Sequence, residues 1–305
     1  PDSRYTDVME RALYNGVLSG VSADGQQFFY ANPLAAYPNV NPHSAWSSVV
    51  HDGQPRHYRR SDWFSCACCP PNLARLLASL GQYFYSAGQD TVYAHLYGSN
   101  RARLDLGGNP VRITQQTGYP WEEEVRLTIE ADRPTRFTLA LRIPGWCRNA
   151  RLQLNGTDVA LTTDRGYAKL DREWRTGDQV TLTLAMPVER MLSHPKVRQN
   201  AGCVALQRGP VVYCLEEADN GPDLANVVLP RDSELSVSFD PALLGGIALI
   251  TGQAVRVAPP DWPGGLYHSQ ATAQPSATPF TFTAIPYCFW ANRQPGEMRV
   301  WLRES

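Results

Sequence analysis

The chain holds 305 residues, 43% of them hydrophobic and 19% charged, a globular balance with room for two or three domains. Its 28 basic and 29 acidic residues leave a net charge of −1, which argues against nucleic acid or an anionic membrane surface as partner. No apolar run approaches the roughly 18 residues of a membrane-spanning helix.

Residues 1 to about 20 read as a helix. Asp2 or Ser3 can cap it, and Tyr5, Val8, Met9, Ala12, Leu13 and Val17 carry the helical period. Asn15-Gly16 and Gly20 mark its end, and Asp24-Gly25 makes a turn. Gln27 to Ala31 reads as a short extended segment, stopped by Asn32-Pro33. Residues 35 to 63 form a long loop with His43, His51 and His57, read as solvated residues on the rim of a site.

The loop leads into Phe64-Ser65-Cys66-Ala67-Cys68-Cys69-Pro70-Pro71-Asn72, with three of the seven cysteines. A helix over 70 to 87 comes next, its apolar face drawn by Leu73, Leu76, Leu77, Leu80 and Phe84. Proline suits the first helical turn, so Cys68 and Cys69 are placed at the helix N-terminus. There the unpaired N–H groups and the macrodipole favour negative charge, and a thiol loses its proton more easily. A thiolate is a nucleophile and a soft metal ligand. Taken one at a time, each cysteine is also readable as a small buried hydrophobe. Cys66 is a poor candidate third ligand, because one short segment cannot easily turn three thiols onto one ion.

After Gly88 the texture changes to short alternating runs: Thr91 to Tyr97, Val111 to Gln116, Glu124 to Glu130, Arg136 to Ile143, Tyr167 to Leu170 and Val180 to Ala185. Asn155-Gly156 between two such runs predicts a hairpin turn. The spacing predicts an antiparallel β-sandwich over 91–216 and a second, proline- and glycine-rich sandwich over 217–305, after a helical piece over 1–90. Glu122, Glu123 and Glu124 read as a solvated edge, and Trp146 and Trp290 as core. Cys147, Cys203, Cys214 and Cys288 read as buried apolar residues. Seven cysteines without a disulfide framework favour a reducing, cytoplasmic setting.

The stretch from Cys68-Cys69-Pro70-Pro71-Asn72 through Gly81-Gln82-Tyr83 resembles the signature of glycoside hydrolase family 127, the β-L-arabinofuranosidase family. Asp7 to Gly16, Phe28 to Leu34, Arg142 to Cys147, Arg208 to Val211 and Ile285 to Arg293 resemble its other landmarks, in order. The resemblance implies an α+β multidomain fold: the last helices of a six-hairpin-like α/α toroid, then antiparallel β-sandwich domains. It implies a retaining hydrolase of β-linked L-arabinofuranose or a related furanoside, with Zn2+ held by three cysteines and a glutamate. Cys68 and Cys69 match two of those ligands, and Cys68 the nucleophile. Glu10 and Tyr30 match sugar-binding positions.

The family's Glu-x-Cys ligand motif and its acid/base glutamate are not in this sequence. The resemblance therefore implies a further toroid part, from the same parent chain or another subunit, and it also admits a homodimer. Other readings are a relative acting on another pectic sugar, a non-catalytic zinc- or carbohydrate-binding protein, and a thiol redox switch.

Overall fold

The computed structural model describes residues 1–38, 58–64, 66–258, 267, 269 and 275–305. The expected loop histidines His43, His51 and His57, and the Pro259 to Gly265 loop, lie outside these. Among the described residues, no helix is long and apolar enough to cross a membrane.

The chain divides into two compact units, one of Pro1–Tyr14 and Pro71–Pro187, the other of Asn15–Pro70 and Val188–Ser305. The first unit is a β-sandwich with a helix against it. One sheet orders Asn100–Asp105, Pro110–Thr117, Glu124–Ala131, Gln179–Leu184, Ala150–Leu154 and Thr157–Val159. The other orders Thr163–Asp164, Tyr167–Trp174, Thr135–Arg142, Thr91–Ala94 and Tyr85–Ala87. Alternation does the sorting: Val125, Leu127 and Ile129 of one sheet, and Leu139, Leu141 and Leu170 of the other, meet in one core. Asn155 and Gly156, at φ 50 and 78, make the expected hairpin turn. The sandwich is not purely antiparallel, since Thr91–Ala94 runs parallel to Thr135–Arg142.

Helix α1 (Ser3–Arg11) is capped by Asp2, whose carboxylate accepts the Arg4 N–H at 3.0 Å. A π-helical turn (Ala12–Val17) and a 3-10 turn (Leu18–Gly20) continue it. Its packing is the reverse of its pattern. Ser3 and Glu10 are buried, while Tyr5 and Val8 are 75% and 70% exposed. The close approach is set by Gly166, at φ +79, where a Cβ would stand 1.8 Å from Ser3 Oγ. Ser3 N–H donates to the Arg165 carbonyl at 3.0 Å beside it.

The second unit corrects two expectations. Its sheet closes: Val211–Glu216, Ser276–Pro286, Ile247–Ala258, Val227–Leu229, Leu302–Glu304 and Cys203–Arg208 pair in that order, and Gln207 and Arg208 then pair back with Val212 and Val211. This is a six-stranded barrel, not a second sandwich, and closure removes the free edges a sandwich keeps. The boundary read at 216/217 falls at 187/188, because the strands over 203–216 supply two of the barrel's six staves. Asn15 is fastened to the barrel, its amide donating to the Pro210 carbonyl at 2.9 Å and accepting the Val212 N–H at 2.8 Å.

Candidate active site

Helix α2 (Cys69–Ser79) starts at the second of the adjacent cysteines and is shorter than expected, with a 3-10 turn over Leu80–Tyr83. Leu77, on its apolar face, is 40% exposed. Cys68 and Cys66 are exposed, Cys69 is half-buried, and all three are free thiols. The Cys68 and Cys69 sulfurs lie 3.8 Å apart. Two sulfurs each ~2.3 Å from one tetrahedral zinc ion would lie about 3.8 Å apart. The pair thus fits as half of a four-ligand site. Among the described residues, no group of three or more His, Cys, Asp or Glu is arranged to hold a metal.

The thiol chemistry differs from the simplest reading of a helix N-terminus. Burial, then the Cys68 thiol hydrogen-bonded to it, pushes Cys69 up to about 11. The helix N-terminus is outweighed by the burial of the Cys69 sulfur, and after it by the neighbouring Cys68 and Cys66 groups. A cation shared by the sulfurs is what would reverse that balance.

Tyr30 comes to the same place. Its phenol is pushed above its ordinary range by desolvation and then by the nearby Cys68, Cys66 and Cys69. Its ring meets Phe64 edge-on at 5.6 Å between centroids. Two isolated antiparallel bridges tie the neighbouring backbone together. Phe28 pairs antiparallel with Val21 and with Ser61. Tyr30 follows one side of the second pairing; Phe64 and the cysteines follow the other.

Glu10 belongs to the first unit, and it is neither a solvated helix residue nor free. It is 1% exposed. Oε1 accepts from the Tyr119 hydroxyl at 2.6 Å and from the Arg142 guanidinium; Oε2 accepts the Trp146 indole N–H at 3.0 Å. Arg142 also donates to Asp7 at 2.7 Å. Burial alone would lower the Arg142 pKa, but Glu10 and its neighbours raise it above the ordinary value.

Other residues are less conspicuous in the sequence. Arg60, 5% exposed, reads in sequence as a loop charge beside Arg59, and only its flanking aromatics hinted otherwise. Cys203, Cys214 and Cys288 are buried as expected, Cys147 half so. Trp290 is core at 1% exposure.

Three family models match the chain in order. They are the beta-L-arabinofuranosidase GH127 catalytic domain over residues 1–82, the GH127 middle domain over 91–186, and the glycoside hydrolase family 127 C-terminal domain over 188–303. A non-reducing end beta-L-arabinofuranosidase of Bifidobacterium longum subsp. longum is 36% identical over 99% of this chain and 46% of its own length. A crystal structure of a GH127 beta-L-arabinofuranosidase from Geobacillus stearothermophilus T6 superposes with a TM-score of 0.89 at 50% identity, over 100% of this chain and 47% of that one. A second GH127 beta-arabinofuranosidase superposes at 0.87 with 35% identity, over 100% and 46%. The chain thus spans about half the length of the relatives it matches.

Proposed function

Because the chain belongs to glycoside hydrolase family 127, we propose that the protein is a retaining glycosidase that releases β-linked L-arabinofuranose, with Cys68 as nucleophile. The observation that carries this reading is the Cys68–Cys69 pair, its sulfurs 3.8 Å apart at the start of a helix. The relatives named beta-L-arabinofuranosidases supply the substrate class.

The chemistry runs in two displacements. In the first, the Cys68 thiolate attacks the anomeric carbon, the carbon–sulfur bond forms, and the glycosidic carbon–oxygen bond breaks. The departing oxygen takes a proton from a carboxylic acid. In the second, that carboxylate takes a proton from water, the water oxygen bonds to the anomeric carbon, and the thiolate leaves. Two inversions give net retention. Bound Zn2+ on Cys68 and Cys69 would supply the positive charge that keeps both thiols deprotonated and oriented. Tyr30 stays protonated and offers its hydroxyl to a sugar oxygen. Glu10 resembles a sugar-binding residue, but its burial and three donors favour a role in fixing α1 instead.

The acid/base carboxyl and the two remaining zinc ligands are assigned to a toroid region that this sequence does not contain. The segments over 1–20 and 69–83 are then the toroid's last helices. The apolar side chains they expose, Tyr5, Val8 and Leu77, suit coverage by further helices of the parent chain or of another subunit.

The test is hydrolysis of an aryl β-L-arabinofuranoside by the full-length protein, comparing wild type with Cys68→Ser. Activity that vanishes in the variant, while fold and zinc content persist, supports the assignment. Activity that survives the substitution removes Cys68 from the nucleophile role. A wild type that binds zinc but cleaves no furanoside or pectic sugar supports a binding protein instead.

A further inference from the structure

Arg60 is a buried cation with no hydrogen-bonded carboxylate among the described residues. One of its terminal nitrogens donates to the Trp290 carbonyl at 2.8 Å, the other to the Ser19 carbonyl at 2.9 Å. Its guanidinium carbon stands 4.5 Å from the centre of the Phe29 ring, which in turn stacks on Trp290 at 4.6 Å. Its Nε has no hydrogen-bond partner among the described residues. Burial lowers its pKa to about 10, so it remains charged at neutral pH.

Stability alone does not call for this arrangement. A well-packed apolar side chain of similar volume is often as stable as a buried charge, or more so. What the guanidinium adds is a rigid fork, two donors at a fixed angle. Here the fork joins three segments: its own, the turn at Ser19, and the barrel's turn at Trp290. The next residue, Ser61, exchanges both backbone hydrogen bonds with Phe28 at 2.9 Å. Arg60 therefore fixes how far its segment can slide along the one bearing Phe28 and Phe29. Tyr30 lies just beyond Phe29, and Phe64, packed on Tyr30, leads into the cysteines.

We propose that Arg60 is a positioning residue for the nucleophile: its fork sets the register between the Tyr30 segment and the segment carrying Cys68 and Cys69. The proposal rests on the glycosidase reading above. It extends that reading from the residues that touch the sugar to a residue that aims them.

The test uses the full-length protein with Arg60→Lys, which keeps the charge and loses the fork, and with Phe29→Leu, which keeps the fork and removes the ring beneath it. Three quantities are read: kcat and KM on the aryl furanoside, the rate at which iodoacetamide alkylates Cys69 relative to buried Cys214, and Tm. Misplacing a reacting group by about 1 Å can cost on the order of a hundredfold. A fall in kcat of about tenfold or more with KM little changed is expected for Arg60→Lys. Faster alkylation of half-buried Cys69 should accompany it, with a smaller change of the same kind for Phe29→Leu. A lowered Tm with kcat and Cys69 alkylation unchanged would reduce Arg60 to a structural residue and overturn the proposal. If Arg60→Lys does not fold, Phe29→Leu decides by the same two readouts. If the wild type cleaves no furanoside, the glycosidase reading fails, and Cys69 alkylation alone decides the role of Arg60.

Discussion

The Arg142 guanidinium, with no exposed surface, donates to the carboxylate of Glu10, 132 positions earlier in the chain and itself 1% exposed. Tyr119 and Trp146 bring two more donors to that carboxylate. Removing one member of a buried pair strands the other, at a cost of about 3–5 kcal/mol. Arg142→Met is expected to lose that much in urea unfolding, with Glu10 left among neutral donors. The double variant Arg142→Met/Glu10→Leu should lose less than the sum of the single variants. Additive losses would mean that the two side chains do not depend on each other.

Cys69 and Cys66 should separate in metal binding. Losing even an outer hydrogen-bond partner of a metal ligand costs about 10–100-fold in affinity, so losing a thiolate ligand should cost more. The full-length protein with Cys69→Ser is expected to purify with little zinc and to regain little on reconstitution. Exposed Cys66 should be replaceable by alanine with zinc content kept. Elemental analysis after dialysis against a chelator reads both. Equal zinc in wild type and Cys69→Ser would remove Cys69 from the ligand set.

What the sequence made legible was local. Asp2 caps α1, Asn155-Gly156 turns a hairpin, and Cys69 opens a helix, each because short-range chemistry decides it. What it hid was settled by distant partners. The periodicity of α1 pointed Tyr5 and Val8 inward, but Glu10 is drawn in by Arg142, and the apolar face is left outward. Cys203–Arg208 and Val211–Glu216 are neighbours across the Gly209-Pro210 turn, but the barrel closes only when Leu302–Glu304, about a hundred residues on, pairs with both Cys203–Arg208 and Val227–Leu229, and alternation within a strand carries no such information. The Cys68–Cys69 pair was readable from the family signature, and Arg60 was not, since nothing beside it names Ser19 and Trp290 as its acceptors.

His95 gives the first unit a pH dependence. Its ring bridges the Ser86 and Tyr167 hydroxyls, each at 2.8 Å. Burial, then the nearby Arg142 and N-terminal charges, lower its pKa. A histidine whose folded pKa lies below the unfolded value of about 6.5 binds fewer protons when folded, so stability falls as pH drops through that value. Wild type is expected to lose Tm between about pH 7 and pH 5 more steeply than His95→Gln, with the two curves parallel above pH 7. Parallel curves throughout would show that His95 titrates alike in both states.

The second unit holds a counterpart with the opposite slope. Glu216, 5% exposed, accepts the Ala291 N–H at 2.7 Å and pairs with Arg293 at 2.6 Å. Arg293 is itself clamped by Asp219 at 2.7 Å. Burial raises the Glu216 pKa, and Arg293 pulls it back. A carboxyl with a raised folded pKa favours folding at low pH and loses that contribution as pH rises through the folded value. Arg293→Met removes the opposing cation and raises that pKa further. Arg293 is partly exposed, so the loss at pH 7 is set at about 2 kcal/mol, below the range for a fully buried pair. The loss should shrink as pH falls toward 4, because a protonated Glu216 no longer needs the cation. Urea midpoints for wild type and variant across that range would read it. A loss constant with pH would assign Arg293 a packing role, independent of the charge on Glu216.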